Sequence, residues 1–255
     1  MTNEAARARL AMREGRWTGP TVHRLEGYVQ ANLVVLSRSE AYEFLVYCQR
    51  NSKACPVLEI TDPGNPEPRR CAPQADLRSD LPRYAVYRDG TKQEERTDIR
   101  ELWQADSVAF LIGSSLSFDA ALVRVGVQAG GDNVWAFNTK LPTEPAGKFH
   151  GPLVVTIRIM SHRQAVVAIQ LTTRYIYTHG APLHIGDPAI IGVDMEHPLY
   201  GPPVMEIPRD KICVFWACGV TPQQAAMASG TKLMITHAPG HGFITDLRSD
   251  LLCIP

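Results

Sequence analysis

The chain lacks nearly every signature that would announce a function directly. It carries no net charge: Lys plus Arg number 26 and Asp plus Glu number 26 in 255 residues. A nucleic-acid surface normally needs a basic excess, so no nucleic-acid partner is expected. No apolar run approaches the ~20 residues of a membrane-spanning helix, so no membrane association is expected either. Residues Met1 to Trp17 are charged throughout and have no apolar centre, which argues against a secretory signal. Cys48, Cys55, Cys71, Cys213, Cys218 and Cys253 form no CxxC pair, leaving zinc ribbons and thioredoxin-type motifs without support. Reduced thiols in a cytoplasmic protein are the expectation. Walker A, GxGxxG, GxSxG and HExxH patterns are absent too, so nucleotide, serine-hydrolase and zincin chemistries have no motif behind them.

What is present is a core-forming, loop-rich chain. Apolar residues make up 45%, enough to exclude general disorder, while 19 Gly and 19 Pro exclude a helix bundle. Glu4 to Gly15 and Glu40 to Arg50 read as helices. Pro56 to Ile60 reads as a short buried strand, followed by a proline-rich loop from Pro63 to Asp76. Tyr84–Tyr87 and Gln93–Thr97 flank Arg88-Asp89-Gly90, a hairpin signal. Leu153–Met160 and Ala165–Tyr175, around Ser161 to Gln164, read as a second hairpin. Interspersed helices and strands predict an α/β fold with a mixed sheet and two closely packed α/β subdomains. The expected division is 1–125 plus 176–255 as the main domain, with 126–175 as a smaller hairpin-containing one.

One internal similarity stands out. Val108 to Ile112 is a buried strand running into Gly113-Ser114-Ser115-Leu116-Ser117 and then Phe118 to Leu122. Ile212 to Trp216 is another, running into Ala217-Cys218-Gly219-Val220-Thr221 and then Pro222 to Met227. Each reads as strand, small-residue turn, hydroxyl cap and helix, with Thr221 and Gln224 spaced as a capping box. The pair suggests two related βα elbows derived from a duplication.

Candidate chemistry gathers late in the chain. His179, His184 and Asp187 sit in one Gly/Pro-rich loop, and His237 and His241 in another. Imidazoles there could serve as acid and base beside a carboxylate, in a single cleft containing His241 and Asp187. Cys218, just before a helix N-terminus, is expected in the same cleft as a reduced thiol with a lowered pKa. The two elbows offer N–H groups to anions around Ser114, Ser115, Gly219 and Thr221. Arg50 and Arg174 are candidate carboxylate partners. No cofactor is expected, although His237 and His241, at i and i+4, keep a divalent metal open.

Several of these words resemble one family. Gly27-Tyr28-Val29-Gln30-Ala31-Asn32-Leu33, Cys48-Gln49-Arg50-Asn51, Ala75 to Tyr84 and Phe110-Leu111-Ile112-Gly113 are similar to the hydro-lyase family related to D-glutamate cyclase. So are Pro145-Ala146-Gly147, His179 to Pro182, His184 to Pro188, Phe215 to Gln223 and Thr236 to His241. The resemblance spans nearly the whole chain. It implies a two-part α/β architecture and a carbon–oxygen lyase acting on a small amino or hydroxy acid, the best-known case being cyclisation of D-glutamate to 5-oxo-D-proline with loss of water. Where the family pattern carries Arg, Asn and Cys ahead of Pro-Ala-Gly, this chain has Asn138, Lys140 and Thr143, and Ser114 replaces a common Cys. The resemblance therefore implies an altered substrate-selecting half. A non-catalytic small-carboxylate-binding protein and a metal-assisted dehydratase remain open alternatives, as does a homo-oligomer.

Overall fold

Two sheets carry the architecture, which a computed structural model describes for residues 3–127, 135–204 and 206–254. Among the described residues the strands are β1 (Tyr28–Ser37), β2 (Val57–Ile60), β3 (Tyr84–Arg88), β4 (Thr91–Arg96), β5 (Ser107–Gly113), β6 (Ala136–Pro142), β7 (Pro152–Ser161), β8 (His184–Ile185), β9 (Lys211–Ala217), β10 (Leu233–His237) and β11 (Phe243–Arg248). The helices are α1 (Glu4–Arg13), α2 (Arg38–Arg50), α3 (Asp119–Arg124), α4 (His162–Thr172) and α5 (Thr221–Ala228). The first sheet runs β2-β5-β1-β10-β3-β4, with β11 also paired to β1; the second runs β6-β7-β9-β8. The fold is thus α/β with two packed sheets. The second sheet draws β8 and β9 from beyond residue 175, so its strands lie on both sides of the expected boundary there. Of the expected smaller domain, residues 128–134 fall outside the described residues.

The sheets repeat one design. In the first, β1 is a ten-residue strand whose last residue, Ser37, is also the N-cap of α2. In the second, β7 is a ten-residue strand whose last residue, Ser161, caps α4. The antiparallel registers coincide: Ser37 opposes Ser107 and Ala31 opposes Gly113, while Ser161 opposes Lys211 and Val155 opposes Ala217. An edge strand then joins each partner, β2 on β5 and β8 on β9. The elbow similarity therefore extends to a whole β–α–β–β unit, present twice.

The helices that follow the elbows cross over. Phe118, Ala121 and Leu122, leaving the first sheet, pack with Ala165 and Ala168 of α4 and with Val214 and Trp216 of the second sheet. Ala225 and Ala226, leaving the second sheet, pack with Phe44 and Tyr47 of α2 and with Phe110 and Met234 of the first sheet. Burial of large side chains, worth ~1.5–3 kcal/mol each, therefore ties each elbow to the opposite sheet. Between Arg158 of β7 and Asp119 of α3 a buried ion pair at 2.5 Å reinforces this, the guanidinium lying over the Phe118 and Trp216 rings.

Three local expectations need correction. Residues 165–175 do not form a strand: Ser161 and Gln164 make a reciprocal capping box that starts α4, and its 3.6-residue apolar pattern outweighs the β-branched content. Ser117 is not the first elbow's cap; Ser114 caps a 3-10 turn over Ser115–Phe118, accepting from the Leu116 N–H. Thr221 caps nothing either. It is the first helical residue, and its hydroxyl accepts from the Val154 N–H at 3.0 Å, pinning α5 to β7. The hairpin at 84–97 forms, with Asp89 and Gly90 both at positive φ, as a two-residue turn of this kind requires.

Candidate active site

The two elbows meet over a cavity of about 270 Å³, near the lower end of small-molecule sites. From the first unit it is lined by Asn32, Ser114, Ser115 and Leu116; from the second, by the equivalent Thr156, Cys218, Gly219 and Val220. His237 of β10 and Gln223 of α5 close one side, and Gln30, Tyr200 and Gly240 contribute further around it. The register explains the pairing: Asn32 and Thr156 each stand five residues before the capping serine of their unit. A larger, open groove of about 800 Å³ runs along β4, but its charges pair with one another, as in Arg83–Glu95 and Arg96–Glu94.

Asn32 links the elbows. Its Nδ2 donates to the Gly113 carbonyl at 3.1 Å, and a Cβ built on Gly219 would stand 2.6 Å from its Cγ. Glycine at 219 is required by this close approach. The N–H groups of Ser115 and Gly219, at equivalent positions, have no protein partner among the described residues.

His237 is fully enclosed. Burial lowers its pKa to about 4, so the ring is neutral at physiological pH. Its Nδ1 receives the Leu33 N–H at 3.2 Å and faces Gln223 Nε2 at 3.1 Å. Nδ1 is therefore the bare nitrogen, and the proton assigned from this network sits on Nε2. The imidazole is held as a hydrogen-bond donor with its basic nitrogen already occupied. Burial likewise raises the Cys218 thiol to about 11, outweighing the Val220 N–H. This reverses the expectation of a thiolate: desolvation exceeds the effect of the helix end. All six cysteines are unpaired, Cys218 included.

Of the other sequence candidates, Ser114, Ser115 and Gly219 line the cavity and the rest do not. His179 is buried beside a separate pocket, bonded through Nδ1 to the Lys53 carbonyl at 2.9 Å. His184 and Asp187 lie at the β8 edge of the second sheet; the His184 ring bonds the Asp187 carbonyl, and the Asp187 carboxylate caps a turn at Ala189. His241 follows Gly240 but bonds the Pro239 carbonyl and faces Arg83 and Glu95. Neither His241 nor Asp187 lines this cavity. Arg50 bonds the Pro145 carbonyl, Arg174 the Ile254 carbonyl, and Thr221 serves packing. Asn138, Lys140 and Thr143 lie outside too: Lys140 packs over Gly192, and Thr143 donates to the Gly151 carbonyl. Adjacency in Gly/Pro-rich loops did not translate into adjacency in space. The residues missed were Gln30, Asn32, Thr156 and Gln223. The visible signal was polar Gln30 and Asn32 inside the otherwise apolar run of β1. Among the described residues no three His, Cys, Asp or Glu side chains are grouped to hold a metal ion.

Residues 108–246, which include both elbows and His237, match the family model described as D-glutamate cyclase. A protein of Stutzerimonas stutzeri named "Putative hydro-lyase" is 49% identical over 252 residues, covering 97% of this chain and 95% of its own. The chain belongs to the D-glutamate cyclase family. Similarly named relatives from Geobacillus kaustophilus and Bacillus subtilis are 51% and 47% identical, each covering 96% of this chain and 95% and 97% of their own. Membership in this family makes the chain a carbon–oxygen lyase. A nitrogen repressor-like protein of Methanococcus jannaschii overlays with a TM-score of 0.39 at 10% identity, over 91% of each chain, too loosely to carry an argument. No helix among the described residues is long and apolar enough to cross a membrane.

Proposed function

We propose that the cavity between the elbows is the active site of a hydro-lyase that closes a small acidic amino acid of the D-glutamate type into its lactam, releasing water. The observation that carries this reading is the convergence on one cavity of both elbows, Cys218 and His237, all of which lie within the family-matched segment. The unbonded N–H groups of Ser115 and Gly219 suit carboxylate oxygens, and the two units offer them at two places.

The reaction is proton-neutral. An ammonium and a carboxylate become an amide and water, so the two protons lost from nitrogen leave on the departing oxygen. The protein needs a relay, with no net acid or base. His237 Nε2–H polarises the carboxyl group under attack as a neutral donor. The ammonium passes its first proton to the carboxylate it will attack, leaving a neutral amine and a carboxylic acid; Cys218, as a thiol, delivers the second proton to the departing oxygen and recovers one from the nitrogen. No Asp or Glu lines the cavity among the described residues, and the Lys92 ammonium at its edge donates to Glu95 at 2.6 Å. An ammonium entering such a site is desolvated without a counter-charge, which favours the neutral, nucleophilic amine.

The implied change of substrate now rests on Ser114 alone, because Asn138, Lys140 and Thr143 stand away from the cavity. The unpaired thiols suit a reducing compartment, and a cytoplasmic setting belongs to the proposal. The test is a thermal-shift screen of D- and L-dicarboxylic amino acids followed by product analysis of each hit. Stabilisation with a product lighter by one water supports the lyase. Stabilisation without turnover instead supports a carboxylate-binding protein, and activity abolished by a chelator supports a metal-assisted dehydratase.

A further inference from the structure

Two oxygen atoms beside the cavity have nothing to bond. Thr156 is 4% exposed and Gln30 5%, and neither Thr156 Oγ1 nor Gln30 Oε1 has a hydrogen-bond partner. Buried polar atoms in folded proteins are nearly always paired, so two orphans on one cavity call for an explanation. The Gln30 amide cannot simply be reversed. Its Nε2 donates to the Thr21 carbonyl at 2.7 Å and the Arg24 carbonyl at 3.1 Å, which leaves Oε1 as the free end. An amide oxygen only accepts, and a threonine hydroxyl can accept. Both atoms therefore call for a donor, in a cavity whose described lining holds no carboxylate to attract a cation.

We propose that Gln30 Oε1 and Thr156 Oγ1 receive the N–H bonds of the substrate's amino group and so select an amino acid over its des-amino analogue. The inference rests on the reading of the cavity as the active site. It divides the labour there: peptide N–H groups of the elbows for carboxylate oxygens, two neutral oxygens for nitrogen. Neutral acceptors stabilise the charged ammonium less than a carboxylate would, which keeps the nucleophilic amine within reach.

Thr156→Val is the clean probe. It preserves shape, and it removes an oxygen that bonds nothing in the free protein, so the melting temperature should not fall. Calorimetric titration of the full chain with D-glutamate and with glutarate reads the selection. The wild type should favour D-glutamate by at least ~10-fold, about 1.4 kcal/mol. Thr156→Val should bring the two ligands within ~3-fold by weakening D-glutamate alone, with glutarate unchanged. Gln30→Met should do the same, although its loop loses two hydrogen bonds and its melting temperature should drop. A Thr156→Val protein that keeps the wild-type preference overturns the inference. So does a wild type that binds both ligands equally, which would leave the active-site reading intact and assign the orphans to ordered water. A wild type that binds neither ligand overturns the active-site reading together with the inference.

Discussion

Gly219→Ala tests the geometry that joins the two elbows. The new Cβ would stand 2.6 Å from Asn32 Cγ and closer still to Nδ2, nearer than real Cβ atoms approach. Asn32 is 8% exposed, and moving its side chain aside gives up the Nδ2 bond to the Gly113 carbonyl at 3.1 Å. Overpacking costs ~1–3 kcal/mol, and breaking a buried hydrogen bond ~1–3 more. The sum is roughly 2–6 kcal/mol, a fall in melting temperature on the order of 10 °C for a chain of this size. The backbone at Gly219 is not in the left-handed region, so the cost is steric and should vanish once the neighbour is cut back. Urea denaturation of Gly219→Ala, Asn32→Ala and the double variant isolates the coupling. The expected residual cost of Gly219→Ala in the Asn32→Ala background is under ~1 kcal/mol. A Gly219→Ala protein as stable as the wild type, or one equally destabilised in both backgrounds, would refute the bridge.

Cys218, held near 11 by burial, should alkylate slowly at neutral pH, with a rate that keeps rising above pH 9; peptide mapping after iodoacetamide treatment checks this, and a plateau below about pH 8.5 would contradict it. His179 and His237, lowered from 6.5 to about 4, bind fewer protons folded than unfolded, so their contribution is present above pH 6.5 and lost as pH falls towards 4. Unfolding free energies from urea denaturation at pH 7 and pH 5 should differ by ~2 kcal/mol per histidine, and His237→Asn should remove about half of that difference; equal stability at both pH values would count against the buried neutral rings. Asp119→Asn leaves the Arg158 guanidinium buried against two aromatic rings without a counter-ion and should cost ~3–5 kcal/mol by chemical denaturation, with a loss under ~1 kcal/mol refuting the crossover role assigned to that pair.

Legibility in the sequence followed how local each signal is. The hairpin at Asp89-Gly90, the helix expected over Glu40–Arg50 and the strand expected over Pro56–Ile60 rest on neighbouring residues, and each forms within two residues of its expected bounds, as β3–β4, Arg38–Arg50 and Val57–Ile60. The strand misassigned over 165–175 had a local remedy in Ser161 and Gln164, overlooked because Val166, Val167 and Ile169 read as β-formers. The elbows were legible as a repeat. What they enclose was not, because Asn32 meets Gly219 only through a pairing register set across 80 residues or more. His184, Asp187 and His241 illustrate the reverse error. Gly/Pro-rich loops concentrated them in the chain, but His184 lies in β8 of the second sheet and Asp187 just after it, while His241 lies between β10 and β11 of the first.

The central claim is that Cys218, His237 and the two elbows form one lyase site. The most direct test is steady-state conversion of D-glutamate to its lactam by the wild type and by His237→Leu, with folding of both confirmed by thermal denaturation. Wild-type turnover of D-glutamate is expected, with a loss of ~10²-fold or more in kcat when the imidazole donor is removed. Undiminished lactam formation by a folded His237→Leu protein would contradict it.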